Sequence, residues 1–228
     1  NGEETFFQHT ITTSADSASS VEVADMDGDG DLDVLSSATD SGVAWYEQSR
    51  HLSEACCAIR TDDNTTSLTA GDFNGDGKTD LAVVNRTKVG QNLTLLHGQG
   101  NGSFSYTTMR TQQLFSDIAV GDFNNDGKQD LVATDEDGSQ ASVFLGNGSG
   151  TFSTPTHFAV GNNPQAVSVA DFNKDGQQDL AVANYDDNTA SILLGIGNGS
   201  FATATTFSIG NGPLDLTDGD FNKDGKQD

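Results

Sequence analysis

Apolar residues recur along the chain in short runs separated by clusters of Asp, Asn and Gly. Residues 21–24, 68–71, 118–121 and 166–170 alternate apolar with polar, the period-two pattern of a strand with one covered face. An Asp-rich stretch follows each, and then a second apolar run such as Leu81, Ala82, Val83 and Val84. A third run follows in residues 93–96, 142–145 and 191–194, then a glycine turn in 98–102, 146–150 and 195–199, and a Phe/Thr-rich fourth segment. Four short strands per unit are predicted, joined by turns that rely on glycine, since the chain has 26 Gly and only 3 Pro.

The unit repeats. Its Asp-rich stretch starts at Asp25, Asp72, Asp122, Asp171 and Asp220, at intervals of 47, 50, 49 and 49 residues. That is the period of a four-stranded propeller blade, and it predicts an all-β fold of such blades. The expected division is residues 1–20 as the last strand of a preceding blade, blades at 21–65, 66–114, 115–164 and 165–213, and 214–228 as the start, with a first strand, of a further one. Residues 1–6 match the turn at 147–152, and the chain closes at the ninth position of the fifth Asp-rich stretch. Both ends therefore fall inside repeats, the register expected of part of a larger ring or array.

Numbered from its first Asp, each stretch carries side-chain oxygens at positions one, three, five and nine and Gly at position six. The donors are Asp25, Asp27, Asp29 and Asp33; Asp72, Asn74, Asp76 and Asp80; Asp122, Asn124, Asp126 and Asp130; Asp171, Asn173, Asp175 and Asp179; and Asp220, Asn222, Asp224 and Asp228. Position seven, which varies among Asp31, Lys78, Lys128, Gln177 and Lys226, would contribute a backbone carbonyl. A hard cation takes six to eight oxygens, and alternate spacing turns several inward from one tight loop while Gly permits the bend. This predicts up to five Ca²⁺ sites; no copy has the Glu at position twelve that a helix-flanked loop requires, and Mg²⁺ is the poorer fit because it prefers few carboxylates and retained waters. The Phe after the first ligand, at Phe73, Phe123, Phe172 and Phe221, is expected in the core beneath each loop.

Charge sharpens this picture. With 34 acids against 10 basic residues the net charge is −24, and sixteen of the acids occupy ligand positions; five bound divalent ions would bring it to −14. Without a cation, several carboxylates in one loop repel each other. The scattered basic residues exclude a phosphate-binding surface, so no nucleic acid partner is expected, and no run approaches the ~20 apolar residues of a spanning helix. The glycine turns join strand to strand, not strand to helix, which sets aside a phosphate-loop reading.

The stretches GDFNNDGKQDL at 121–131 and LGNGSGTF at 145–152 resemble FG-GAP/VCBS repeats, found in integrin alpha-subunit propellers and many secreted proteins. The resemblance implies a β-propeller with calcium loops between the first and second strands of each blade, on one face. It also implies a ring of seven blades, with two to three outside this sequence, and an extracellular or cell-surface scaffold for adhesion or protein binding. Other roles stay open: a lectin-like propeller whose Trp45 or Tyr46 stacks on a sugar, a structural subunit of an extracellular fibre self-associating through open blade edges, and the non-catalytic part of a larger secreted enzyme. Six N-x-S/T sequons, at Asn64, Asn85, Asn92, Asn101, Asn147 and Asn198, are candidate glycan positions. Cys56 and Cys57 are adjacent, which disfavours a bond between them. The four histidines, His9, His51, His97 and His157, fall at unrelated repeat positions, and no catalytic constellation is visible, so the chain is expected not to be an enzyme.

Overall fold

The computed structural model describes residues 18–38, 42–46, 58–59, 64–87, 90–101, 103–111, 113–223 and 227. Among them the regular elements are all strands, sixteen in number, forming four antiparallel four-stranded sheets. The first sheet holds β1 (Ala18–Ala24), β2 (Asp33–Ala38), β3 (Gly42–Tyr46) and β4 (Ala58–Ile59). The second holds β5 (Thr65–Gly71), β6 (Asp80–Thr87), β7 (Gly90–Gly98) and β8 (Phe104–Thr111). The third holds β9 (Phe115–Gly121), β10 (Asp130–Asp135), β11 (Gln140–Phe144) and β12 (Thr156–Ala159). The fourth holds β13 (Pro164–Ala170), β14 (Asp179–Asn184), β15 (Thr189–Leu193) and β16 (Thr205–Ser208). Each sheet is a meander of sequential strands, and the first strands β1, β5, β9 and β13 pack side by side, so the sheets are blades of a β-propeller.

Burial explains the sequence pattern. Both faces of a blade meet neighbours, so β10 and β14 are buried along their whole length and read as continuous apolar runs without alternation. The Thr-rich β12 and β16 lie at the rim, largely exposed. Three cores lie between blades. Met26, Leu35 and Val43 of the first blade meet Leu68, Leu81, Val83 and Leu96 of the second. Phe73, Val84, Leu93 and Leu95 meet Phe115, Ile118, Leu131 and Phe144. Phe123, Val132 and Val143 meet Val167, Leu180, Leu193 and Phe201.

Near the axis each first strand carries a register irregularity against its second strand, between Ala18 and Ser20, Thr65 and Ser67, and Pro164 and Ala166, with a counterpart in β9. The bulge turns the extra residue out of the ladder and towards the next blade. Ser19 Oγ thus donates to the Thr65 carbonyl at 2.8 Å, Thr66 Oγ1 to the Phe115 carbonyl at 3.3 Å and Ser116 Oγ to the Pro164 carbonyl at 2.5 Å. Asp117 adds a stronger tie: its carboxylate accepts Ser67 Oγ–H (2.7 Å) and the N–H groups of Ile118 (2.9 Å) and Val167 (2.8 Å), joining three blades. Ser19, Thr66, Ser67, Ser116 and Asp117 line an axial cavity of about 730 Å³ together with Gln165 and Asp215.

β1 opens at Ala18, three residues before the expected blade start, and residues 1–17 lie outside the described part of the chain. Residues 214–219, expected as a further first strand, join no ladder among the described residues, because a strand requires a hydrogen-bonded neighbour.

Burial raises the pKa of Asp117 despite its three hydrogen bonds, and burial with the negative charge of Asp117 raises that of Glu22. Both groups bind a proton more tightly in the folded chain than in the unfolded one. Their contribution to stability is therefore greatest below the ordinary carboxylate range and falls as pH rises through the raised folded values. Asp117→Asn is expected to flatten this part of the stability–pH curve. It should also cost about 1–3 kcal/mol at neutral pH, since a buried N–H loses its acceptor; urea melts across pH measure both, and an unchanged slope would remove Asp117 from this role.

Candidate cation loops

Four Asp-rich stretches connect a first strand to a second, at 25–33, 72–80, 122–130 and 171–179. Their shared conformation follows from side-chain oxygens organising backbone N–H groups ahead of them. The position-one carboxylate closes the loop: Asp25 accepts from Gly28 (2.7 Å) and Gly30 (3.0 Å), Asp72 from Gly75 (2.7 Å) and Gly77 (2.8 Å), Asp122 from Asp126 (3.1 Å) and Gly127 (2.9 Å), and Asp171 from Asp175 (3.1 Å) and Gly176 (2.8 Å). Position three accepts from position five: Asp27 Oδ1 from Asp29 N–H (3.1 Å), Asn74 Oδ1 from Asp76 N–H (2.8 Å), Asn124 Oδ1 from Asp126 N–H (3.0 Å) and Asn173 Oδ1 from Asp175 N–H (2.8 Å). Position five in turn accepts from position seven: Asp29 from Asp31 (2.9 Å), Asp76 from Lys78 (3.0 Å), Asp126 from Lys128 (3.0 Å) and Asp175 from Gln177 (2.8 Å).

The Gly at position six has positive φ in all four loops, 92° at Gly30, 78° at Gly77 and Gly127 and 84° at Gly176. Position four is left-handed as well, at Gly28, Gly75, Asn125 (57°) and Lys174 (62°). The sequence hides this second requirement because Asn and Lys occupy half of these positions.

Position nine is different. Asp33, Asp80, Asp130 and Asp179 are fully buried at the head of the second strand. Asp33 Oδ2 accepts Met26 N–H (3.0 Å). In the other blades one oxygen takes the N–H of the position-two Phe and the other that of the first Gly in the β-turn of the same blade: Phe73 and Gly98 on Asp80, Phe123 and Gly146 on Asp130, Phe172 and Gly195 on Asp179. Burial raises the pKa of Asp80, Asp130 and Asp179, and the two backbone N–H bonds oppose it; the other acids of the loop raise Asp130 and Asp179 further. Asp72 Oδ1 accepts a second backbone N–H, from Asp76 at 3.2 Å. In the first loop, carboxylate oxygens of Asp25, Asp27 and Asp29 all lie within 4.8 Å of one another. An oxygen-only donor set of this kind suits a hard cation. At position seven Lys78 and Lys128 place their ammonium groups 3.6 and 3.2 Å from Asp76 and Asp126. At Asp126 desolvation is the largest single influence and raises the pKa, but the Lys128 N–H, its ammonium group and Asn124 together outweigh it, so the pKa is lowered.

The fifth stretch is described only in part, and Asp224, Lys226 and Asp228 lie outside the described residues; Asp220 and Asn222 are exposed. Phe221, expected in the core, is 70% exposed, whereas Phe73 and Phe123 are buried and Phe172 is half-buried. The reason is that position two is covered by the following blade: Phe73 packs edge-on against Phe152 and Phe123 against Phe201, at 5.7 and 5.6 Å between ring centres. Among the sequons Asn85 is fully buried, bonded to Thr65 Oγ1 and Thr94 Oγ1, which removes it as a glycan position. Asn64, Asn101, Asn147 and Asn198 are exposed; the side chains of Asn92 and Trp45, and both cysteines, lie outside the described residues. Tyr46 is half-buried. His97 Nδ1 lies 3.6 Å from Asp80 Oδ2, and His157 Nδ1 pairs with Ser142 Oγ at 2.9 Å; His9 and His51 are outside the described residues.

Blades of this build, with an Asp-rich loop between first and second strands, define a repeat propeller. The FG-GAP-like repeat model matches residues 72–133, 122–182 and 171–228, each match starting at the first Asp of a loop, and the chain belongs to that family. No curated protein matches it. Among solved structures it is similar to a functionally unknown protein from Desulfotomaculum acetoxidans, with TM-score 0.66 and 13% identity over 87% of this chain and 58% of that one. It is also similar to BBS1N in complex with ARL6DN (TM-score 0.58, 14% identity, 87% of this chain and 56% of that one). A third is an auxiliary nutrient binding protein from Bacteroides ovatus (0.55, 10%, 90% and 55%). The chain thus spans little more than half the length of each, and at these identities the likeness is one of fold.

Two glycine substitutions separate loop strain from turn packing. A Cβ on Gly127 would meet nothing within 4 Å, so Gly127→Ala is expected to cost about 1–2 kcal/mol of left-handed strain alone. A Cβ on Gly146 would stand 2.1 Å from the Gln129 carbonyl and force the turn off Asp130, so Gly146→Ala should cost about 3 kcal/mol or more. Equal losses in a denaturant titration would contradict this division.

Proposed function

We propose that the chain is an extracellular, calcium-braced propeller that serves as a scaffold for binding another protein. The observation that carries the reading is the same spacing of oxygen donors in consecutive loops, in phase with the blades and with three carboxylates converging in the first, on a chain of net charge −24. Calcium would be held by positions one, three, five and nine with the position-seven carbonyl, neutralising charge that otherwise loosens the loops. Loops of this type suit the millimolar calcium outside cells, where sites of about 10⁻⁴–10⁻³ M suffice. Exposed Asn101, Asn147 and Asn198, one at each glycine turn, are compatible with glycans in that compartment.

In this reading the role is non-catalytic, the loop carboxylates serving backbone N–H groups and the cation. A propeller fold also occurs in BBS1N, solved in complex with ARL6DN, and the fold by itself supports a binding role of this kind without naming the partner.

Calorimetric titration with calcium is expected to give four to five equivalents, and the thermal midpoint should drop when chelator replaces calcium. Asp126→Ala should remove one equivalent. A midpoint indifferent to chelator would reduce the loops to polar turns and overturn the proposal.

A further inference from the structure

Each of the first three loops is touched by the blade that follows it. The contacts come from position eight of the next loop and from the next glycine turn. Thr79 Oγ1 donates to the Asp25 carbonyl at 2.8 Å, and Gln178 Oε1 accepts the Asp122 N–H at 2.5 Å. Gln129, at the same position, lies over Gly71, and its Oε1 is buried without a hydrogen-bond partner one residue from Asp72. The last glycine of the next turn adds a bond to position two: Gly150 N–H to the Phe73 carbonyl and Gly199 N–H to the Phe123 carbonyl, both 2.9 Å. Asn125 Nδ2 in the third loop donates to Gln177 Oε1 in the fourth at 2.5 Å.

The sequence carries the same relation as paired choices. Where position eight of the following loop is Gln, the residue before the first Asp is Gly: Gly71 with Gln129, and Gly121 with Gln178. A Cβ on Gly71 or Gly121 would stand 2.1 or 2.5 Å from that Gln Oε1, so the space belongs to the neighbour's side chain. Where the following residue is the shorter Thr79, the equivalent position is Ala24. The pairing breaks at Ala170, which is followed by Gln227.

We propose that Thr79, Gln129 and Gln178 are positioning residues for the cation loop of the preceding blade, so that neighbouring loops are coupled through this contact. The inference rests on the cation reading of the loops. Ordering a loop sets its position-eight residue at the head of the second strand, and this side chain then holds the first ligand of the previous loop. Linkage makes this coupling reciprocal, so ordering either loop favours the other by the same free energy.

Hydrogen exchange of the full chain, resolved to loop peptides, with and without calcium, tests it. Gln178→Ala is expected to speed exchange in 122–130 about threefold to tenfold, the loss of one hydrogen bond, while 25–33 and 72–80 keep their rates. Unloading the fourth loop with Asp175→Ala should loosen 122–130 as well, and unloading the third with Asp126→Ala should loosen 171–179, both cross-loop effects shrinking in the Gln178→Ala background. Cross-loop effects of undiminished size in the Gln178→Ala background, or a Gln178→Ala effect confined to 171–179, would overturn the proposal. If wild-type loops ignore calcium, the cation reading fails, and the Gln178→Ala comparison in chelator still decides whether the clasp orders the preceding loop.

Discussion

A carboxylate buried at the head of each second strand holds the blade together. In the second to fourth blades its two oxygens take one N–H from the loop and one from the glycine turn, so a single side chain ties the segments that leave the first and third strands. The bond to the turn demands that Gly98, Gly146 and Gly195 approach the position-eight carbonyl so closely that a Cβ would lie 2.1–2.2 Å from it. Burying a charge at this depth is costly, and two N–H bonds offset only part of the cost, as the raised pKa values show. A cation in the loop, as proposed above, would offset the remainder and give the same residue a second task.

Blades built in this way cannot stand alone. Their second strands are apolar on both faces, and the three cores of the described structure lie between blades, not within them. Stability therefore comes from stacking, and the aromatic pairs Phe73–Phe152 and Phe123–Phe201 place part of it directly beneath the loops. At the axis, bulged residues and Asp117 supply directional hydrogen bonds where apolar contact is least. The two sets act at opposite ends of the first strands, one at the cavity and one at the loops.

Much of this organisation was legible in the sequence because it is local or periodic. The repeat interval and the alternation in residues 68–71 and 118–121 point to four-stranded blades. The ligand spacing and Gly at position six are read from nine consecutive residues, since loop geometry depends on little else. What only the tertiary structure decided are properties set by the neighbouring blade. Asn85 looks like a surface sequon and is buried between Thr65 and Thr94, and Phe221 looks like a core residue and is 70% exposed, because the equivalent Phe73 and Phe123 take their cover from Phe152 and Phe201, far along the chain. Asp117 resembles any strand acid until Ser67 and Val167 are brought to it from two other blades. Position nine reads as one more ligand, and its second task as a clasp appears only when the turn, sixteen to eighteen residues further on, folds back onto it. Local spacing specified the chemistry of each loop; burial, which depends on contacts between distant segments, decided which of those groups hold the fold.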